Sequence, residues 1–230
     1  MSGGSAVALG GCHARPVPVE TIWVVPAVFA LVDWWAVARQ DRRTETWAKP
    51  ATLGALVVTA LALGAADSTA GRWLVVALVF GLLGDIALLG DSVDRFKAGV
   101  AAFLVGHLAY LVCFAALGLP RPGWSWAVLG VLAVTVVVTR DVVPATYRQG
   151  GAGLAAPVAA YTVVIGAMLV GAWFTGEPLV ALGATVFVTS DATLSVDRFV
   201  RPLPHAHLVV MVTYHVGQAL IVLGVLAAAS

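Results

Sequence analysis

Apolar stretches of about twenty residues, separated by short clusters of charge, proline and glycine, run along almost the whole chain. A bilayer core is about 30 Å thick and a helix rises about 1.5 Å per residue, so a stretch of that length reads as one crossing. By this ruler the pattern predicts eight spans, at 19–38, 50–66, 73–90, 96–117, 124–139, 152–173, 178–196 and 205–228. The breaks "RQDRRTETWAKP", "DSTAGR", "GDSVDRFK", "LPRPGW", "RDVVPATYRQG", "TGEP" and "VDRFVRPLP" are turn and loop chemistry. Residues 1–18, rich in glycine, alanine and proline, are expected to form a mobile tail; their "LGGC" lacks the basic segment and apolar run of a lipoprotein signal. The expected fold class is an all-α integral membrane protein, a bundle of eight transmembrane helices over 19–228.

Polar residues interrupt these spans at a few places. An ionised carboxylate at bilayer depth costs at least ~2.5–3.5 kcal/mol, so one that persists there points to a task. Asp85 lies in "GDIALLGDSVDRF" (84–96) on the third span and Asp191 in "SDATLSVDRF" (190–199) on the seventh. Spans four apart run in the same direction, and each aspartate lies a little over one turn before the end of its span. The two are therefore expected at similar depth, able to meet across one cavity. The echoed "SVDRF" suggests a parallel repeat of four plus four spans.

Helical spacing supplies neighbours. Phe103, His107 and Tyr110 form a stripe on the fourth span, with Gly99 and Gly106 allowing close backbone approach. The eighth carries His207, Met211, Tyr214 and Gln218, with His215 at the edge of the stripe, and the seventh carries Gly183, Phe187, Ser190, Asp191 and Leu194. Polar members of such stripes should turn toward protein or a wet cavity. Asp33, close to the end of the first span, is expected to reach lipid headgroups, and Lys49, opening the second helix, to snorkel or meet a phosphate. Asp91, Asp94 and Asp197 read as solvated caps, and the tryptophans as an interfacial belt.

Composition narrows the setting. Of 230 residues 60% are hydrophobic and 11% charged, against roughly 25% charged in a soluble domain. A formal net charge of +1 excludes the basic excess of a nucleic-acid binder. Cys12 and Cys113 have no spacing that suggests a disulfide framework or thiolate metal site. Of the 13 Lys and Arg, ten (Arg39, Arg42, Arg43, Lys49, Arg95, Lys97, Arg140, Arg148, Arg198 and Arg201) follow odd-numbered spans, and Arg15, Arg72 and Arg121 lie on the other side. This split puts both termini outside the cytoplasm, in what reads as a bacterial cytoplasmic membrane.

Lys49-Pro50 at the second helix, Gly84-Asp85 in the third, Phe96, Gly99, Phe103, Gly106-His107 and Tyr110 in the fourth, "SD..L" from Ser190, and "Y...Q.LI" from Tyr214 together resemble the YhhN-like family, over about residues 20–228. The resemblance implies an eight-helix bundle that hydrolyses the vinyl-ether bond of a lysoplasmalogen, releasing a fatty aldehyde and a glycerophospho-headgroup, with a lysophospholipid as substrate and neither metal nor cofactor. One departure is His215, where a second aromatic is expected after Tyr214. Hydrolysis of a vinyl ether needs a proton on its β-carbon and water on the adjacent carbon, work suited to a pair of carboxyls. Asp85 and Asp191 are thus the candidate acid/base pair. His107, Tyr110, Ser190, Tyr214, His215 and Gln218 are the candidates to orient them, and Lys49 with nearby arginines to receive the phosphate. The rival readings are a zinc-dependent lipid hydrolase built on His107, His207 or His215, a proton-coupled transporter, and a non-enzymatic scaffold.

Overall fold

The computed structural model describes residues 19–119, 136 and 140–229. The amino-terminal tail and the predicted fifth span, 124–139, lie outside the described residues, Val136 excepted. After a single turn at Val19–Ile22 come α1 (Val24–Arg39), α2 (Arg42–Ala62), α3 (Thr69–Leu88) and α4 (Val93–Leu117). They are followed by α5, described at 140–150, then α6 (Ala152–Phe174), α7 (Pro178–Ser195) and α8 (Ala206–Ala229). A π-helical turn, Val196–Val200, ends α7. The described residues outside these helices form turns and short connections, with no strand among them.

Among the described residues five helices, α3, α4, α6, α8 and α7 with its π turn, are long and apolar enough to cross a membrane. Their outward positions carry large apolar side chains such as Leu83, Leu108, Val163 and Leu182, all exposed on the isolated chain. Such a surface is stable against lipid tails and unfavourable in water. The chain is an all-helical, multi-pass membrane protein.

Two boundaries differ from the sequence expectation. The second helix was expected to start at residue 50, but α2 starts at Arg42 and runs through Pro50. Only Gln40 and Asp41 break the chain between α1 and α2. Gln40 takes a left-handed conformation (φ 57°), and the Asp41 N–H bonds back to the Ala36 carbonyl at 2.9 Å, a Schellman-type stop. Asp41 then caps α2, accepting from the Arg43 and Thr44 N–H groups at 3.1 and 3.3 Å. Hydrogen bonds from the Thr44 side chain and backbone, and from Arg43, hold its carboxyl below the usual carboxylate range. The charge run that resembled a loop is therefore a capped first turn.

The second difference is "RDVVPATYRQG", expected as a break but helical at 140–150. Val142, Ala145 and Thr146 bury one face at helical spacing while Arg140, Asp141 and Arg148 stay exposed on the other. Val142 and Ala145 pack with Phe96, Val158 and Phe199, tying this helix to α4, α6 and the π turn.

The most extensive helix contacts are α3 with α4 and α7 with α8. Glycines make both close. A methyl group at Gly183 of α7 would lie 2.7 Å from the Ile221 nitrogen and 2.8 Å from the Gly217 carbonyl of α8, and one at Gly84 would lie 2.6 Å from the Phe103 ring. Helix α8 also touches α1, α2, α3 and α4, and is the most buried of the candidate spans. The main core, including Leu53, Leu74, Tyr110, Phe114, Met168, Phe187 and Ile221, surrounds it.

The two "SVDRF" copies have different local structures. Ser92 in the first caps α4, accepting from the Arg95 N–H at 3.2 Å, while residues 195–199 of the second close α7 and enter the π turn. Arg95 donates to the Ile86 and Ala87 carbonyls at the end of α3, whereas Arg198 lies over the Phe96 ring.

Candidate active site

Because α8 is central, side chains on its inner face reach partners on several helices. Tyr214 donates its hydroxyl to Oδ2 of Asp85 on α3 at 2.9 Å, and Lys49 of α2 places its Nζ 3.3 Å from Oδ1 of the same carboxylate. Asp85 and Lys49 are 1% and 6% exposed, so this ion pair is shielded from water on nearly every side. Behind it Tyr110 donates to the Gln218 amide oxygen, and Gln218 hydrogen-bonds Tyr214. The four groups form a chain from α4 through α8 to Asp85, which fixes the orientation of the carboxylate.

Asp191 has a different environment. Among the described residues its one hydrogen-bond partner is the Tyr161 hydroxyl of α6, and it makes no ion pair. Ser190 is spent on the Val210 carbonyl of α8 at 2.9 Å. Asp85 and Asp191 line one cavity of about 60 Å³, together with Lys49, Tyr161, Ser190 and Tyr214. The rest of its wall is largely apolar, supplied by Leu88, Val100, Phe103, Val158 and Leu194 among others. A wider and more polar vestibule adjoins it, sharing Lys49, Phe96 and Arg198 with the inner cavity and adding Arg42, Glu45, Asp91, Asp197 and His207. The vestibule lies at the end of the bundle formed by the α1–α2, α3–α4 and α7–α8 connections.

Several candidates lie elsewhere. His107, Tyr110, His215 and Gln218 do not line the cavity. His107 bonds through Nδ1 to the Phe103 carbonyl, and its ring stands edge-on to Tyr161 and Phe187, at 5.3 and 5.0 Å between centroids. It supports Tyr161 through packing. His215 accepts a hydrogen bond from Trp34 Nε1 at 3.1 Å and lies 3.9 Å from Asp33. His207 is at the surface, 2.9 Å from Glu45. Among the described residues no three His, Cys, Asp or Glu side chains converge as a metal-binding group would require.

Three expectations are corrected by these positions. Asp33 does not reach headgroups: it is fully buried, and neither carboxyl oxygen has a hydrogen-bond partner. Lys49 does not snorkel, because it lies two turns inside α2 with Asp85 beside it. Trp34 turns its indole N–H inward to His215 rather than outward to headgroups. Sequence reasoning also passed over Tyr161 and Arg198. Tyr161 is the lone ionisable side chain of an otherwise apolar span, a signal of the same kind as Asp191.

Comparison with known proteins decides the family. The YhhN family model matches residues 44–225. The chain belongs to the YhhN family. Relatives in it include human lysoplasmalogenase TMEM86B, 35% identical over 150 residues, which are 65% of this chain and 62% of the human protein. Mouse lysoplasmalogenase TMEM86B is 31% identical over 224 residues, covering 91% of this chain and 93% of its own. A Mycobacterium bovis lysoplasmalogenase is 30% identical over 132 residues, 56% of this chain and 51% of that one. The chain thus spans less than two thirds of the human and mycobacterial relatives' lengths. No solved structure matches it.

Proposed function

We propose that this YhhN-family protein is a lysoplasmalogenase: it hydrolyses the vinyl-ether bond of a lysoplasmalogen by acid/base catalysis between Asp191 and Asp85. The observation that carries the reading is one largely apolar cavity lined by two carboxylates with unlike partners, opening toward a polar vestibule. The relatives named lysoplasmalogenase support the substrate class.

The unlike partners divide the roles. Asp85, beside the Lys49 ammonium and the Tyr214 hydroxyl, is suited to hold negative charge, whereas Asp191, bonded to a phenol alone, is suited to hold and deliver a proton. Asp191 protonates the β-carbon of the alkenyl group, and the electron pair of the double bond forms the new C–H bond. The ether oxygen stabilises the resulting cation on the α-carbon. Asp85 takes a proton from a water as its oxygen attacks that carbon, giving a hemiacetal. On collapse, Asp191 receives the hemiacetal hydroxyl proton and Asp85 returns its own to the departing glycerol oxygen. The products are an aldehyde and an alcohol, and both carboxyls regain their starting states. The apolar wall holds the alkenyl chain and limits water, which protects the cation from uncontrolled capture.

In this reading the vestibule and the catalytic cavity face the cytoplasmic leaflet, where the excess of Lys and Arg lies, with both termini on the opposite side. The testing experiment incubates purified protein with a lyso-vinyl-ether phospholipid and with its ester analogue, and measures free aldehyde and free fatty acid separately. Aldehyde from the first and no acid from the second is the expected result. Acid release alone would make it an esterase and overturn the proposal.

A further inference from the structure

We infer that Arg198 is the phosphate anchor of a headgroup subsite in the vestibule. The inference rests on the lysophospholipid reading above and assigns the part of the substrate that the carboxylate pair does not touch.

Arg198 sits in the π turn that ends α7, a local widening of the helix that recurs at functional sites. Its guanidinium carbon lies 4.0 Å from the Phe96 ring centroid and 5.8 Å from that of Phe199. The cation–π contact with Phe96 restrains the guanidinium. The edge N–H groups remain available, and among the described residues they have no hydrogen-bond or ion-pair partner. An oriented guanidinium with unused edge donors matches the bidentate geometry of a phosphate. Other arginines here are engaged: Arg42 pairs with Asp91 at 3.5 Å, and Arg95 is bound to the end of α3.

Position supports the same ligand. Arg198 lines both the inner cavity and the vestibule, so a group bound to it stays joined to a chain lying against Asp85 and Asp191. Such an amphiphile has its phosphate where the wall changes from apolar to polar.

The test compares the wild type with Arg198→Gln and Arg198→Lys, using two readouts. In the first, binding of a non-hydrolysable 1-O-alkyl lysophosphoethanolamine is measured in detergent, with inorganic phosphate and glycerophosphoethanolamine as competitors. Arg198→Gln is expected to weaken binding about 10-fold or more, with Arg198→Lys in between because it keeps charge but loses the fork. In the second, KM for the alkenyl lysophosphoethanolamine rises about 10-fold in Arg198→Gln relative to KM for 1-O-alkenylglycerol, which has no phosphate. Unchanged lipid binding in Arg198→Gln would overturn the inference whether or not the protein hydrolyses vinyl ethers. Displacement of the lipid by inorganic phosphate as effectively as by glycerophosphoethanolamine would also overturn it, in favour of a free-phosphate site. Weakened binding with no aldehyde from any lipid would leave the headgroup subsite standing and remove the hydrolytic reading instead.

Discussion

Replacing Lys49 by methionine tests the centre of the site. Methionine fills nearly the same volume with an apolar chain, so the change removes one charge and little packing. What remains is Asp85, 1% exposed, with Tyr214 as its surviving partner. At the observed 3.3 Å the Lys49–Asp85 attraction is about 5 kcal/mol for an effective dielectric near 20, and breaking one side of a buried pair costs roughly 3–5 kcal/mol. Asp85→Asn should be milder, because the amide keeps the shape and still accepts from Tyr214, although it strands the Lys49 ammonium in turn. The double variant, with both charges gone, should recover part of the loss, since replacing a whole buried ion pair by neutral groups is often close to neutral. Reversible unfolding in mixed micelles, followed by tryptophan fluorescence, gives the three free-energy changes. The expected coupling is about 2 kcal/mol or more, with the double variant more stable than Lys49→Met alone. Simple additivity to within about 0.5 kcal/mol would refute the claim that the two residues act as a pair. Turnover, assayed as aldehyde release, should fall in Lys49→Met as well, because the base has lost the cation that keeps it charged and in place.

Asp191→Asn should leave a folded protein and lower turnover by at least ~10²-fold, as expected for loss of a general acid; Tyr161→Phe should lower it less, and equal effects in the two would argue against Asp191 as the proton donor. Gly183→Ala should destabilise the α7–α8 interface, where the new methyl would meet backbone at 2.7 Å, whereas Gly54→Ala, with nothing within 4 Å, should be neutral or stabilise by about 0.5–1 kcal/mol. Thermal unfolding of both variants checks the contrast, and similar shifts would show that close glycine packing does not govern this interface. Single cysteines at Arg43 and Gln149, both exposed, should react with an impermeant thiol reagent from the cytoplasmic side in a background without Cys12 and Cys113. Labelling from the opposite side would reverse the proposed orientation.

The membrane class, most helix limits and the meeting of Asp85 and Asp191 at one cavity were legible in the sequence. These depend on local quantities: the length of an apolar run, the cost of a charge within it, and the alternation of direction that brings the third and seventh helices to one depth. Two local signals misled. Charge before Pro50 resembled a loop, yet Asp41 caps a helix there; Pro144 with flanking charges resembled a break, yet the apolar face of 140–150 packs against Phe96 and Phe199.

The partners of each polar group were beyond the reach of spacing. Asp33 and Asp85 look alike as single acids near the ends of apolar runs, but only Asp85 meets Lys49 and Tyr214, while Asp33 is enclosed beside His215. That His107 turns away from the cavity, that Tyr161 reaches Asp191, and that Arg198 lies over the Phe96 ring are likewise outcomes of how helices rotate and cross. Periodicity along one helix defines which residues share a face. Which face meets which neighbour is set by contacts distant in sequence, here by the close approach of α7 to α8 at Gly183 and Gly217 and by the central place of α8, so those pairings belong to the tertiary structure alone.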